Sequence, residues 1–227
     1  MQQEPILRML CLRHGDTRYT GVFPDLTEHR LAQAVRAANV AVVHWMRKHK
    51  VDATALDIIS WPAPRAHSTA HTVAQVARLT NPIQLEKRLD QMAWRDPVRC
   101  KEALGGFAGK GYIDYETEPA FADETMFETP SEMRVRWFTF LAHHIDRAAK
   151  RKVSGYCLLT SHYEVFCHIV AGLFGITASA ETALKHVEPI ELTIFEMGAE
   201  KYYVTGIFRD MNRSAVFDLA DLSFAQV

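Results

Sequence analysis

The sequence predicts an α/β fold, a three-layer sandwich with a mostly parallel central sheet and helices on both faces. Two observations predict it. Short apolar runs alternate with segments whose apolar residues recur every three to four positions, the pattern of strands joined by crossover helices. The first run, Ile6-Leu7-Arg8-Met9-Leu10-Cys11-Leu12, has the apolar content of a strand covered on both sides.

That strand, Ile6–Leu12, breaks into Gly15-Asp16-Thr17. A helix is expected over Thr27–Lys48, where Leu31, Val35, Ala38, Val42 and Trp45 fall on one face and Thr27 is a suitable N-cap. Leu56–Ser60 reads as the second strand. Pro62 and Pro64 lead into a helix over Pro64–Leu79, with proline in its first turn. Ile83–Leu85 is a short strand. From Glu86 to Thr129 the periodicity is lost. Gly105, Gly106, Gly109, Gly111 and the acidic Asp114–Glu124 stretch indicate a long irregular insertion over one end of the sheet, of the kind used as lids and binding loops. Ser131–Lys150 is helical again, with Met133, Trp137, Leu141 and Ile145 in line. Tyr156–Thr160 is a strand and Tyr163–Phe174 a helix. Ile190–Glu196 and Tyr202–Phe208 form a closing antiparallel pair.

The 227 residues read as a single domain with its insertion at about 86–129. A net charge of −1, with no basic block, argues against nucleic acid or an anionic membrane as partner. The apolar stretches Asn39–Met46 and Val165–Ile176 are too short to span a bilayer. Met1–Pro5 is acidic and too short for the charged start of a signal peptide. Four cysteines without a CxxC pair fit buried free thiols in a reducing cytoplasm.

Ligands of such sheets sit beyond the carboxyl ends of the strands. Three strands end in suggestive residues there. The first ends in Arg13-His14. The second ends at Ser60 and is followed by Arg65 at a helix start. The third ends in Thr160-Ser161-His162, also at a helix start. Two guanidinium groups, two imidazoles and helix N-termini at one rim suit a phosphoryl group. Arginine grips two phosphate oxygens, and an imidazole can attack phosphorus.

Leu12-Arg13-His14-Gly15-Asp16-Thr17 resembles the Leu-Arg-His-Gly-acid-Thr signature of the histidine phosphatase superfamily, the phosphoglycerate mutase-like group. Leu26-Thr27-Glu28 with Gln33-Ala34 resembles the start of that family's first helix. The stretch from Ser60 to Ala70 is similar to its Ser-Ser-Pro…Arg-Ala…Thr-Ala segment. Glu128-Thr129 with Arg136 resembles its Glu-Ser…Arg segment. Thr160-Ser161-His162 with Glu164-Val165 is similar to its second-histidine motif. The resemblance implies that His14 is the nucleophile of a phosphohistidine intermediate and that Arg13, Arg65 and His162 bind the phosphoryl oxygens. It implies a phosphatase that needs no metal or cofactor and acts on a small phosphorylated substrate or a phosphoprotein. His67 and His71, four apart on one helix, have a spacing that can hold a metal, but they fall in the phosphate segment with no acid between them.

The chain departs from the pattern at several places. Gln91 stands in Leu89-Asp90-Gln91 where the family has a glutamate that protonates the leaving group. An amide cannot act as that acid. Asp90 is the candidate substitute, with Asp96 and Glu164 behind it. Alternatively, the substrate has a leaving group that needs little acid help, or the chain is a catalytically weak or inactive phosphate-binding module. Thr20 stands where many relatives have a phosphate-contacting Asn, and Tyr163 replaces the glycine after the second histidine. Arg18, Thr20, Gln91, Tyr163 and Glu164 are the candidate substrate contacts.

Overall fold

A computed structural model describes residues 3–15, 17–18, 28–29, 31–106, 114, 118–151, 154–179 and 181–227, the side chains of 17–18, 28–29 and 31–38 excepted. In chain order the elements are β1 (Leu7–Arg13), β2 (Thr17–Arg18), β3 (Glu28–His29), α1 (Leu31–His49), β4 (Leu56–Ser60), α2 (Pro64–Val76), β5 (Ile83–Leu85), α3 (Pro97–Gly105), α4 (Pro130–Arg151), β6 (Gly155–Ser161), α5 (Tyr163–Phe174), β7 (Pro189–Gly198), β8 (Lys201–Phe208), β9 (Met211–Asp218) and β10 (Ser223–Gln226). Short 3₁₀ turns cover Ala53–Ala55, Lys87–Leu89 and Pro119–Ala122.

Eight strands form the main sheet in the order β10-β9-β8-β7-β1-β6-β4-β5. β1, β6, β4 and β5 are parallel and make its core. From β7 onward the sheet continues as an antiparallel meander. The expected closing pair is β7 and β8, and it runs on into β9 and β10. The sequence hides β9 because its first half, Met211-Asn212-Arg213-Ser214, carries no apolar run.

Alternation along β1 divides the core. Leu7, Met9 and Cys11 face one side, where α4 and α5 supply Trp137, Phe138, Leu141, Phe166 and Ile169. Leu10 and Leu12 face the other, where α1 and α2 supply Val42, Trp45, Ala70 and Val73. These are the outer layers of the sandwich. α5 ends at Gly175, whose φ of +68° is the left-handed cap geometry that glycine adopts at low cost.

The first helix begins at Leu31, not near Thr27. Glu28–His29 is extended and pairs with Thr17–Arg18, and Thr27 itself lies outside the described residues. The second helix stops at Val76 rather than Leu79, because Arg78 takes a left-handed φ of +56° and the Leu79 amide folds back to the Ala74 carbonyl at 2.8 Å. The 86–129 segment is less irregular than its composition suggests. Asp96 caps α3 by accepting from the amides of Val98 and Arg99, and Trp94 bridges to Phe127. All four cysteines are buried free thiols. Among the described residues, no helix is long and apolar enough to cross a membrane.

Candidate active site

Strand register brings three loops to one rim. Arg13 pairs with Ser161 across β1 and β6, and Ser60 with Thr160 across β4 and β6. The residues that follow therefore leave the sheet side by side. The His14 amide donates to the Ser161 carbonyl at 2.8 Å, and the Trp61 amide to that of Thr160 at 3.2 Å. Pro64 opens α2 and sets Arg65 in its first turn. His162 stands at the N-cap of α5, yet its imidazole makes no capping bond, which leaves it for the site.

These side chains converge. The rings of His14 and His162 lie 5.1 Å apart between centroids. Arg65 donates through Nε to Nδ1 of His162 at 3.1 Å and through Nη2 to Oε1 of Gln91. Trp61 meets the His162 ring edge-on at 4.2 Å and carries the Arg65 guanidinium 5.3 Å from its own ring centre. Arg13 joins from the end of β1. It donates to the Leu184 carbonyl at 2.7 Å, and its guanidinium lies 5.3 Å over the Tyr163 ring. Tyr163, in place of a glycine, is thus a platform for that arginine. Thr69 braces the loop from beneath by accepting from the Gly15 amide and donating to the Arg65 carbonyl.

The hydrogen bonds assign complementary tautomers. Nδ1 of His14 lies 2.8 Å from the Gly15 carbonyl, so it carries the hydrogen, and the lone pair is on Nε2. Nδ1 of His162 accepts from Arg65, so the hydrogen of that neutral ring is on Nε2. Among the described residues this buried nitrogen has no hydrogen-bond partner, although buried donors are rarely left unsatisfied. A phosphoryl oxygen would satisfy it. Both imidazoles are held well below their ordinary pKa, by burial first; Arg13 and Arg65 follow for His14, Arg65 and His14 for His162. At neutral pH the rim therefore offers one nucleophilic nitrogen, one neutral donor and two permanent cations.

A largely buried ion pair holds the loop that carries Gln91. Glu128 receives Arg136 through both oxygens, at 2.8 and 2.7 Å, and accepts the Ala93 amide at 3.1 Å. Arg136 also donates to the carbonyls of Arg88, Asp90 and Gln91 at 2.9, 3.0 and 3.3 Å. Ser161 donates to the Leu89 carbonyl at 2.5 Å.

The other candidates divide. The Asp90 carboxylate is held by the Trp61 side chain and the Gln91 main chain, and burial first pushes its pKa up. Asp96 is spent on capping α3. Glu164 is half-buried in the first turn of α5. The Arg18 side chain and the whole of Thr20 lie outside the described residues. Sequence reasoning assigned no role to Trp61 and did not single out His186, whose ring stands 5.4 Å from that of His14. Its signal is positional. β7 is antiparallel to β1, with Pro189 opposite Leu12, so residues just before β7 fall beside the end of β1.

A family model described as histidine phosphatase superfamily (branch 1) matches residues 9–209. No curated protein matches the sequence. Among solved structures, the chain is similar to a mycobacterial glucosyl-3-phosphoglycerate phosphatase with VO3, at 19% identity and a TM-score of 0.54 over 83% of this chain and 92% of that one. It is similar to a phosphoglycerate mutase from Bacillus anthracis, at 14% identity and a TM-score of 0.57 over 97% and 96%. It also resembles the protein histidine phosphatase SixA with tungstate, at 15% identity and a TM-score of 0.51 over 95% and 99%.

Proposed function

The chain belongs to branch 1 of the histidine phosphatase superfamily, and on that premise we propose that it is a metal-independent phosphomonoester hydrolase working through a phosphohistidine on His14. The observation that carries this reading is the pairing of tautomers. The Gly15 carbonyl leaves His14 with a lone pair on Nε2, and Arg65 leaves His162 with a buried donor that no described residue satisfies.

In the first step Nε2 of His14 forms a bond to phosphorus, and the bond from phosphorus to the leaving oxygen breaks. Arg13, Arg65 and the Nε2 hydrogen of His162 stabilise the charge on the transferring oxygens. Such positioning and charge stabilisation carry most of the catalysis in phosphoryl transfer. In the second step water attacks phosphorus, the bond to nitrogen breaks, and inorganic phosphate departs. Gln91 serves this site as the acceptor that orients Arg65, and it is no proton donor. Neighbours named as phosphatases, crystallised with VO3 and tungstate, favour the same chemistry. The substrate class is a small phosphomonoester or a phosphoprotein, and the free buried thiols support a cytoplasmic setting.

The amide at Gln91 favours a second reading, a module that binds phosphate without turnover. Hydrolysis of para-nitrophenyl phosphate separates the two, because its leaving group needs no acid. Turnover that vanadate inhibits, that a chelator leaves alone and that His14→Ala abolishes supports the enzyme. Tight vanadate binding with no turnover supports the module.

A further inference from the structure

With Gln91 committed to Arg65, the leaving group's proton must come from elsewhere, and the structure places a third imidazole at the rim. His186 stands with its ring 5.4 Å from that of His14, tilted by 51°. It is half-buried, whereas His14 and His162 are 4% and 1% exposed. An in-line leaving group points away from the attacking nitrogen, out of the buried rim, and of the three imidazoles His186 is the one partly open to solvent.

The segment around His186 is built to hold it there. Arg13 grips it at both ends, its guanidinium donating to the Leu184 carbonyl at 2.7 Å and its own carbonyl accepting the Val187 amide at 3.1 Å. Val187 has a φ of +51°, a left-handed conformation that costs a β-branched residue about 1–3 kcal/mol. The bond to Arg13 and the burial of Val187 against the Leu10 and Leu12 cluster hold that conformation. Asp90, by contrast, is tied to Trp61 and to the Gln91 main chain, within a loop pinned by Arg136.

We propose that His186 is a catalytic residue, the proton donor to the leaving group in the first step and the acceptor of the water proton in the second. This rests on the phosphohistidine reading above. As the bond from phosphorus to the leaving oxygen breaks, that oxygen keeps the electron pair and takes a proton from the His186 imidazolium, leaving neutral imidazole. When water attacks the phosphohistidine, the neutral ring takes its proton and the imidazolium is restored. Around His186 stand Arg13 at the end of β1 and His14 just after it, with Lys185 and Glu188 on its own segment. Glu188 is paired with Arg209 at 2.6 Å. The arriving phosphoryl dianion offsets the cations and favours the charged ring.

The test is the dependence of phosphoenzyme formation on leaving-group acidity, measured with a series of aryl and alkyl phosphates. The native protein is expected to show a shallow dependence. His186→Asn is expected to steepen it, losing about a hundredfold or more on alkyl phosphates and less than about tenfold on para-nitrophenyl phosphate, with added imidazole restoring part of the alkyl activity. A steep dependence in the native protein, which needs no variant to fold, overturns the proposal. So does an equal loss on all substrates, which marks a phosphate contact, and so does a selective alkyl loss in Asp90→Asn with none in His186→Asn. Absence of any phosphoenzyme in the native protein overturns this proposal together with the reading beneath it, whereas a trapped phosphoenzyme with a steep native dependence sinks His186 alone.

Discussion

Arg65 donates through Nε to His162 at 3.1 Å while its other end reaches Gln91, so one guanidinium fixes both the tautomer of an imidazole and the side chain of the following loop. A lysine has a point charge and no fork. Arg65→Lys is therefore expected to keep the fold but lower kcat/KM for para-nitrophenyl phosphate by about a hundredfold or more, counting two charged hydrogen bonds at about 1.5–3 kcal/mol each. Steady-state kinetics beside a thermal melt check it.

Gln91 contributes by orienting that arginine. Gln91→Ala should weaken vanadate inhibition by about tenfold or more, the value of one hydrogen bond to a charged group, with a smaller effect on stability. If the inhibition constant is unchanged, Gln91 is a bystander.

Arg136 and Glu128 form a largely buried pair with two bonds, and Arg136 serves four further carbonyls, those of Lys87, Arg88, Asp90 and Gln91. Arg136→Met leaves the Glu128 carboxylate without its cation. The expected destabilisation is about 2–4 kcal/mol, read from the urea midpoint.

Packing between α5 and β8 depends on Gly206. A Cβ there would stand 2.8 Å from Phe174 Cζ and closer still to Leu173. Gly206→Ala should cost about 1–3 kcal/mol by overpacking, while Gly105→Ala, with no described atom within 4 Å of its Cβ, should cost far less. Paired thermal melts decide it.

Stability should fall on the acid side of neutrality. His144 is buried beside Phe140, and burial, then His143 and nearby arginines, push its pKa from 6.5 down to about 4. Between those values the unfolded chain binds a proton that the folded chain refuses, so stability drops as pH falls through that window, by on the order of 3 kcal/mol from this group. His14 and His162 act in the same direction. Urea midpoints at steps from pH 7 to 4.5 should decline, and the decline should be shallower in His144→Leu.

The parallel core and the rim of the site were legible in the sequence because each is written locally. An apolar run marks β1, and Arg13-His14, Pro64-Arg65 and Ser161-His162 directly follow or cap elements. What could not be read depends on which strands become neighbours. The pair β7 and β8 was foreseen from composition, but that β7 lies against β1 is a long-range fact, and that fact brings His186 to His14. Trp61 escaped notice because an aromatic after a strand reads as core, and only the fold shows its ring against both Arg65 and His162. The helix expected from Thr27 was misjudged because the apolar spacing that begins at Leu31 does not show where the preceding chain turns extended.

The most direct test of the central claim is to mix the protein briefly with radiolabelled phosphomonoester, quench it, and ask where the label resides. One phosphate is expected on the protein, labile in acid and stable in base, located on His14 by peptide mapping, and missing from His14→Ala. Label on any other residue, or full turnover by His14→Ala, would contradict it.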